Sequence, residues 1–208
     1  SQASERANHF ERVHKEELLA RLAYQHLTGD DPDRDISEDA ARGVFAECMR
    51  EMGLAAGKDA ALLREVVDNS GLLQRLPPSG LRFPHQTFLE YFAARHVREH
   101  GTVELLLGTH ARDPKRFREV VLLYAGLTEA AAAEAIVARA LEDSDLALAL
   151  EVLCNARRVS PNTTELVLER AHQRLVLQPT RALAEHVGYL ARNELLAHAP
   201  TAFGILRE

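Results

Sequence analysis

The residues of this chain that could do chemistry are few: His85, the pair His96 and His100, two cysteines, a glycine–lysine run and a short aspartate series. The run Gly53-Leu54-Ala55-Ala56-Gly57-Lys58-Asp59 approaches a phosphate-binding loop. That loop needs four residues between its glycines and a hydroxyl after the lysine to hold Mg²⁺, and this one has three and then an acid. An ordinary turn between helices is the expected structure. Asp31, Asp33 and Asp35 open like a calcium loop, but Ile36 takes the place of the required glycine and Arg42 that of the closing glutamate. His96 and His100 stand four apart, a spacing that places two imidazoles on one helix face, as metal sites do. Neither a Glu-flanked zincin pattern nor a Cys-x-x-Cys accompanies them, so the expectation is a solvated pair near a helix C-terminus, favoured by the dipole, and no metal. Cys48 and Cys154 fall inside helical patterns and read as small buried hydrophobes of a reducing cytosol. With no Gly-x-Ser-x-Gly elbow and no Cys/His nucleophile, no catalytic residue is expected.

His85 is the exception. It lies in Leu81-Arg82-Phe83-Pro84-His85-Gln86-Thr87-Phe88-Leu89-Glu90-Tyr91-Phe92-Ala93-Ala94-Arg95. Thr87-Phe88-Leu89-Glu90 has the form of a capping box, which predicts a helix from Thr87 to about His100. His85 would then lie just outside a helix N-terminus, where free N–H groups and the dipole attract anions and an imidazole can donate to a phosphate. A plain loop histidine closing the turn is the alternative. Phe88, Tyr91 and Phe92 fall at i, i+3 and i+4 and read as packing residues of that helix.

The elements that must position these residues follow from periodicity. Leu18, Leu19, Leu22, Ala23 and Leu27 form a helical stripe stopped by Gly29, a candidate left-handed terminator, and by Pro32. Ser37 is a good N-cap for a second helix ending near Gly53, and Asp59 for a third ending at Asn69-Ser70-Gly71. Leu72–Leu76 and Leu81–Phe83 flank Pro77-Pro78-Ser79-Gly80, which predicts a single short β-hairpin within residues 71–85. Three helices followed by a hairpin suggest a winged helix. After Asp113-Pro114 the chain is broken at Gly126-Leu127-Thr128, Asp143-Ser144, Ser160-Pro161 and Pro179-Thr180. The resulting pairs of helices span roughly 35 residues, near the length of a helical solenoid repeat. Gly101, Gly108 and Asp113-Pro114 interrupt the join, where Val103, Leu105, Leu106 and Leu107 predict a short helix packed between two halves.

The expected fold is therefore mainly α: a winged-helix-like regulatory domain over residues 1–100, with one short hairpin, then an irregular antiparallel HEAT-like array over 101–208. Composition agrees. The 208 residues are 46% hydrophobic and 27% charged, Trp is absent, and Ala and Leu dominate over β-branched residues. No apolar run approaches the ~20 residues of a membrane span. A formal charge of −6 disfavours broad contact with a phosphate backbone, and the would-be recognition helix, residues 59–70, sets Arg64 against Asp59, Glu65 and Asp68. No nucleic acid and no membrane partner are expected. The opening Ser1-Gln2-Ala3 and the helix-like Gly204-Ile205-Leu206 suggest an excised fragment cut within its array.

The run from Phe83 to Ala94 resembles the end of the winged-helix domain of NACHT-type signal-transduction NTPases of the STAND class, relatives of NOD-like receptors, where Phe-x-His-x-[Ser/Thr]-Phe-x-Glu-[Phe/Tyr]-[Phe/Leu]-Ala-Ala recurs. Leu18–Tyr24 and Ser70-Gly71-Leu72-Leu73 are similar to the first helix and the pre-hairpin corner of that domain. The likeness covers residues 10–100, and the remainder only in architecture. It implies that His85 touches the β-phosphate of ADP bound to a neighbouring nucleotide-binding domain and helps to hold a closed resting state. It further implies ADP or ATP with Mg²⁺ in a longer parent, a cytoplasmic place, and a part in defence signalling, against phage for example. This chain has no Walker A or Walker B sequence, so it is not expected to be an ATPase by itself. Its expected partner is the parent's own nucleotide-binding domain, with a protein ligand or an oligomer as further possibilities. A free-standing helical scaffold that binds protein is the rival reading, and a winged-helix DNA reader the third.

Overall fold

Leu18, Leu19, Leu22, Ala23 and Leu27 recur at intervals of three and four, and that spacing turns them to one side of helix α1 (Arg12–Thr28), where all are buried. A computed structural model describes residues 11–54, 57–178 and 180–192. Gly29 ends α1 in an extended conformation rather than the expected left-handed one. A Cβ there would stand 3.3 Å from the Gln25 carbonyl oxygen, so glycine serves close approach, not a positive φ. Gly71 is the left-handed cap, at φ 66°, closing α3 (Asp59–Ser70). Between them runs α2 (Glu38–Glu51), where the Ser37 hydroxyl accepts the Ala40 N–H at 3.1 Å as its spacing predicts. Asp59 is not the cap of α3 but its first residue, and its carboxylate instead takes Arg42 Nε at 2.9 Å.

The hairpin of β2 (Gln74–Leu76) and β3 (Gly80–Arg82) lies inside the expected span. It is not the whole sheet. A third strand, β1 (Ile36–Ser37), pairs antiparallel with β3, giving the order β1-β3-β2 with Leu81 opposite both Ile36 and Arg75. Two residues carry no alternation to read, and the extended backbone that Ser37 needs as an N-cap also serves as strand. Gly80 permits the approach: a Cβ on it would lie 3.2 Å from that of Asp35. Arg82 Nε then donates to Asp35 Oδ1 at 2.9 Å, tying the strand ends together. The order α1-β1-α2-α3-β2-β3 is that of a winged helix, to which α4 (Gln86–His100) is added, packed along α1. Phe45, Leu62, Leu63, Val66, Leu81 and Phe92 fill the interior of this unit.

The chain divides into two compact units after His100. The second holds α5 (Val103–Arg112), α6 (Pro114–Leu127), α7 (Ala130–Glu142), α8 (Leu146–Asn155), α9 (Pro161–Leu177) and α10 (Arg181–Arg192). Capping oxygens start four of these where the sequence places breaks. Thr102, Asp113, Asp145 and Ser160 accept N–H groups of their own first turns, at about 1 kcal/mol each. Consecutive helices pair as α5/α6, α7/α8 and α9/α10, and alternate helices stack as α5/α7/α9 and α6/α8/α10. That is the two-layer logic of a helical solenoid, in which each pair covers the face its neighbour cannot bury. Gly126 lets the stack close, since a Cβ on it would meet the Asn155 carbonyl at 3.2 Å. Two expectations at the join change. Gly108 is interior to α5 and breaks nothing, and of the apolar run Leu106 is buried while Leu105 is exposed, as one face of a helix requires. Residues 204–206, read as helix interior, lie outside the described residues. No helix among the described residues is long and apolar enough to cross a membrane.

His110, on α5, makes the second unit sensitive to acid. Its side chain is buried with Nε2 lacking a hydrogen-bond partner. Burial first, and then the Arg118 guanidinium, hold its pKa below 6.5, against smaller opposing effects of Asp145 and Asp143. The unfolded chain therefore takes up this proton more readily than the folded one, and stability falls as pH drops below 6.5 towards the folded value. His110→Gln should flatten that decline. Urea midpoints at pH 7 and pH 5 read it directly; an equal decline in both proteins refutes the assignment.

Candidate functional site

Pro84 ends the extended chain of β3, because it has no N–H to give to a ladder and holds Phe83 extended before it. Phe83 is buried there, and α4 begins two residues later, at Gln86. The expected start at Thr87 is corrected by one residue. His85 itself takes the N-cap place, its carbonyl accepting the Phe88 N–H at 3.0 Å, and Thr87 is an exposed residue of the first turn. Glu90 does not complete a box on Thr87; its carboxylate accepts from the Gln86 amide at 3.2 Å.

His85 is exposed, with its ring 5.7 Å from that of Phe88 and tilted 59° to it. The imidazole thus stands at the positive end of a fifteen-residue helix, beside first-turn N–H groups that have no preceding turn to bond. Phe88 is the second correction. The sequence predicts packing for it, but 37% of it is exposed, while Phe92 is buried and Tyr91 half-buried. The inward face of α4 is set by Leu89, Phe92, Ala93 and Val97, and one step from Leu89 turns Phe88 outward beside His85. A cleft of about 240 Å³ opens next to this turn, lined by His26, Arg34, Arg82, Gln86 and Leu89 among others.

The other end of α4 carries His96 and His100, rings 5.0 Å apart. Sequence spacing put them on one face; the fold adds Glu17 from α1. His100 Nε2 lies 2.6 Å from Glu17 Oε1, and one donor atom from each of Glu17, His96 and His100 falls within 4.8 Å of the others. Glu17 went unnoticed because it is separated from His100 by 83 positions and nothing but its charge marks it. His96 stacks on Tyr24 at 4.8 Å, and its Nδ1 is buried without a hydrogen-bond partner. Burial, then the charges of His100 and Arg21, push its pKa down to about 4, so the ring is neutral at pH 7. Glu99 is held below the usual carboxylate range by Arg95 and Arg98, against the opposing effect of burial.

The remaining motifs resolve as structure. Gly53 and Gly57 adopt positive φ in the connection of α2 to α3, the turn conformation glycine permits. Asp35 of the aspartate series pairs with Arg82. Cys48 is buried, and its thiol is pushed up by burial and then by Glu17. Cys154 is only half-buried, not fully inside as read, yet burial pushes it up to about 12. Glu65, one of the acids set against Arg64 on α3, is turned inward and pairs with Lys15.

No protein-family model matches the chain, and no curated protein or solved structure gives a significant match.

Proposed function

We propose that this chain is the regulatory part of a NACHT-type STAND switch, in which the winged-helix unit reads the nucleotide state through His85 and the helical stack carries sensing or autoinhibition. The observation that carries the reading is the placement of His85, exposed at the N-cap of α4 inside the run that resembles the family's motif. The winged-helix element order before it and the two-layer stack after it support the same reading. A cytoplasmic location and a role in defence signalling go with it.

The fit to a nucleotide can be tested on this chain's own residues. An exposed imidazole at a helix N-terminus suits a phosphate oxygen: it can donate one hydrogen bond, and the dipole favours the negative charge. When bound to the neighbouring domain, ADP supplies that charge. His85 then makes a contact present in the closed arrangement and absent from the open one, and such differential contact shifts a population. The rest of a nucleotide site is not among the residues of this chain.

Three outcomes test this. The chain alone should bind ADP negligibly, because one imidazole and a helix terminus offer too little to offset immobilising a nucleotide. In the parent, His85→Ala should weaken ADP retention by about 1–3 kcal/mol and raise basal output, at unchanged melting temperature. Nucleotide off-rates in matched parent variants measure it, and an unchanged off-rate and output would sink the latch. The parent itself should carry a Gly-x-x-x-x-Gly-Lys-[Ser/Thr] loop on the N-terminal side of this segment.

A further inference from the structure

The cluster at the C-terminal end of α4 is not explained by the switch. An ion pair between His100 and Glu17 would account for two of its members only. It leaves a buried nitrogen of His96 without a partner. Three features therefore converge on one small volume: two imidazoles, an acid from a second helix, and a buried imidazole nitrogen without a partner.

We propose that Glu17, His96 and His100 bind a single divalent transition-metal ion, Zn²⁺ in the first instance, with water completing the coordination. The donor set is two histidine nitrogens and one carboxylate oxygen, a combination known to hold zinc with a position left open. Imidazole pairs select zinc, nickel, cobalt or copper over calcium and magnesium, which prefer all-oxygen shells. The scaffold is rigid where it must be. The i, i+4 spacing fixes the two imidazoles on α4, and α1 and α4 are locked together by Leu18, Leu22, Ala93 and Val97, all buried. His96 is further held by its stack on Tyr24. The donors lie within 4.8 Å of one another, with His100 Nε2 and Glu17 Oε1 2.6 Å apart, and must adjust to the roughly 3.4 Å that separates ligands around a tetrahedral zinc. His100, its side chain 49% exposed, is free to make that adjustment. The site also lies in the last turn of α4, where the helix dipole favours a cation. Arg21, whose charge also acts on His96, is engaged by Glu51 and Glu47. The metal would clamp the end of α4 onto α1, independently of any nucleotide.

The test is calorimetric titration of the full, tag-free, chelator-stripped chain with ZnCl₂, paired with CoCl₂ titration followed by visible absorption. Expected are one saturable site and the intense d–d bands of a low-coordinate cobalt ion. His100→Ala and Glu17→Gln should each weaken Zn²⁺ binding by about tenfold or more, as loss of one of three protein ligands does. Because the His100 side chain is half exposed, its variant should fold, which circular dichroism checks. His172→Ala, on α9, is the control and should bind as the wild type does. Zn²⁺ should also raise the melting temperature of the wild type and not that of His100→Ala. Absence of saturable binding, equal affinity in His100→Ala and wild type, or a loss produced by His172→Ala would each overturn the site.

Discussion

Phe92→Ala should remove about 3–5 kcal/mol of folding stability, the range for emptying a phenylalanine site in a packed core. Phe92 is 4% exposed and lies between two other rings, Phe83 at 6.1 Å and the edge of Tyr91 at 5.4 Å. Its removal would leave a cavity that neighbouring helices cannot fill, because α4 is already fixed against α1 by Ala93, Ala94 and Val97. Phe88→Ala should cost under about 1 kcal/mol, since a ring 37% exposed at the surface leaves little void. Urea unfolding of the two variants, with equal slopes, gives the comparison. Equal losses would mean that the inward face of α4 includes Phe88, and the rotational setting of the helix would have to be redrawn.

The second large effect belongs to Lys15 and Glu65, which join α1 to α3. Nζ and Oε1 are 2.6 Å apart, and the side chains are only 13% and 7% exposed. Lys15→Met should cost about 3–5 kcal/mol, mostly because the Glu65 carboxylate stays buried while losing the Lys15 charge. The double variant Lys15→Met, Glu65→Leu should be more stable than either single one, because two apolar side chains of similar volume need no desolvation penalty repaid. Raising the salt concentration should change little, since a pair this enclosed is poorly screened. A double variant as unstable as the singles would show that the pair holds α1 to α3 through geometry that packing cannot replace.

Much of the fold was legible in local sequence. The stripe of Leu18–Leu27, the cap at Ser37, the breaks at Asp113-Pro114 and Ser160-Pro161, and the hairpin around Pro77–Gly80 all rest on interactions within a few residues. Such interactions are written in neighbouring letters, so propensity and capping chemistry find them. The misreadings share the opposite character. β1 is made by pairing with β3, more than forty residues on, and no pattern of two residues announces it. The start of α4 shifted from Thr87 to Gln86 because burial of Leu89 and Phe92, together with the stop at Pro84, outweighed a plausible capping box.

The same division runs through the candidate sites. Sequence alone determined that His85 stands at a helix start and that His96 and His100 share a helix face, for both are consequences of helical pitch and of the residues beside them. Only tertiary structure decided that Phe88 faces outward beside His85, that Glu65 turns inward to Lys15, and that Glu17 completes the His96 and His100 pair. Each of these depends on which face of one helix meets another. That choice is made by the sum of many weak apolar contacts spread over the chain, and no single residue or its near neighbours carry it.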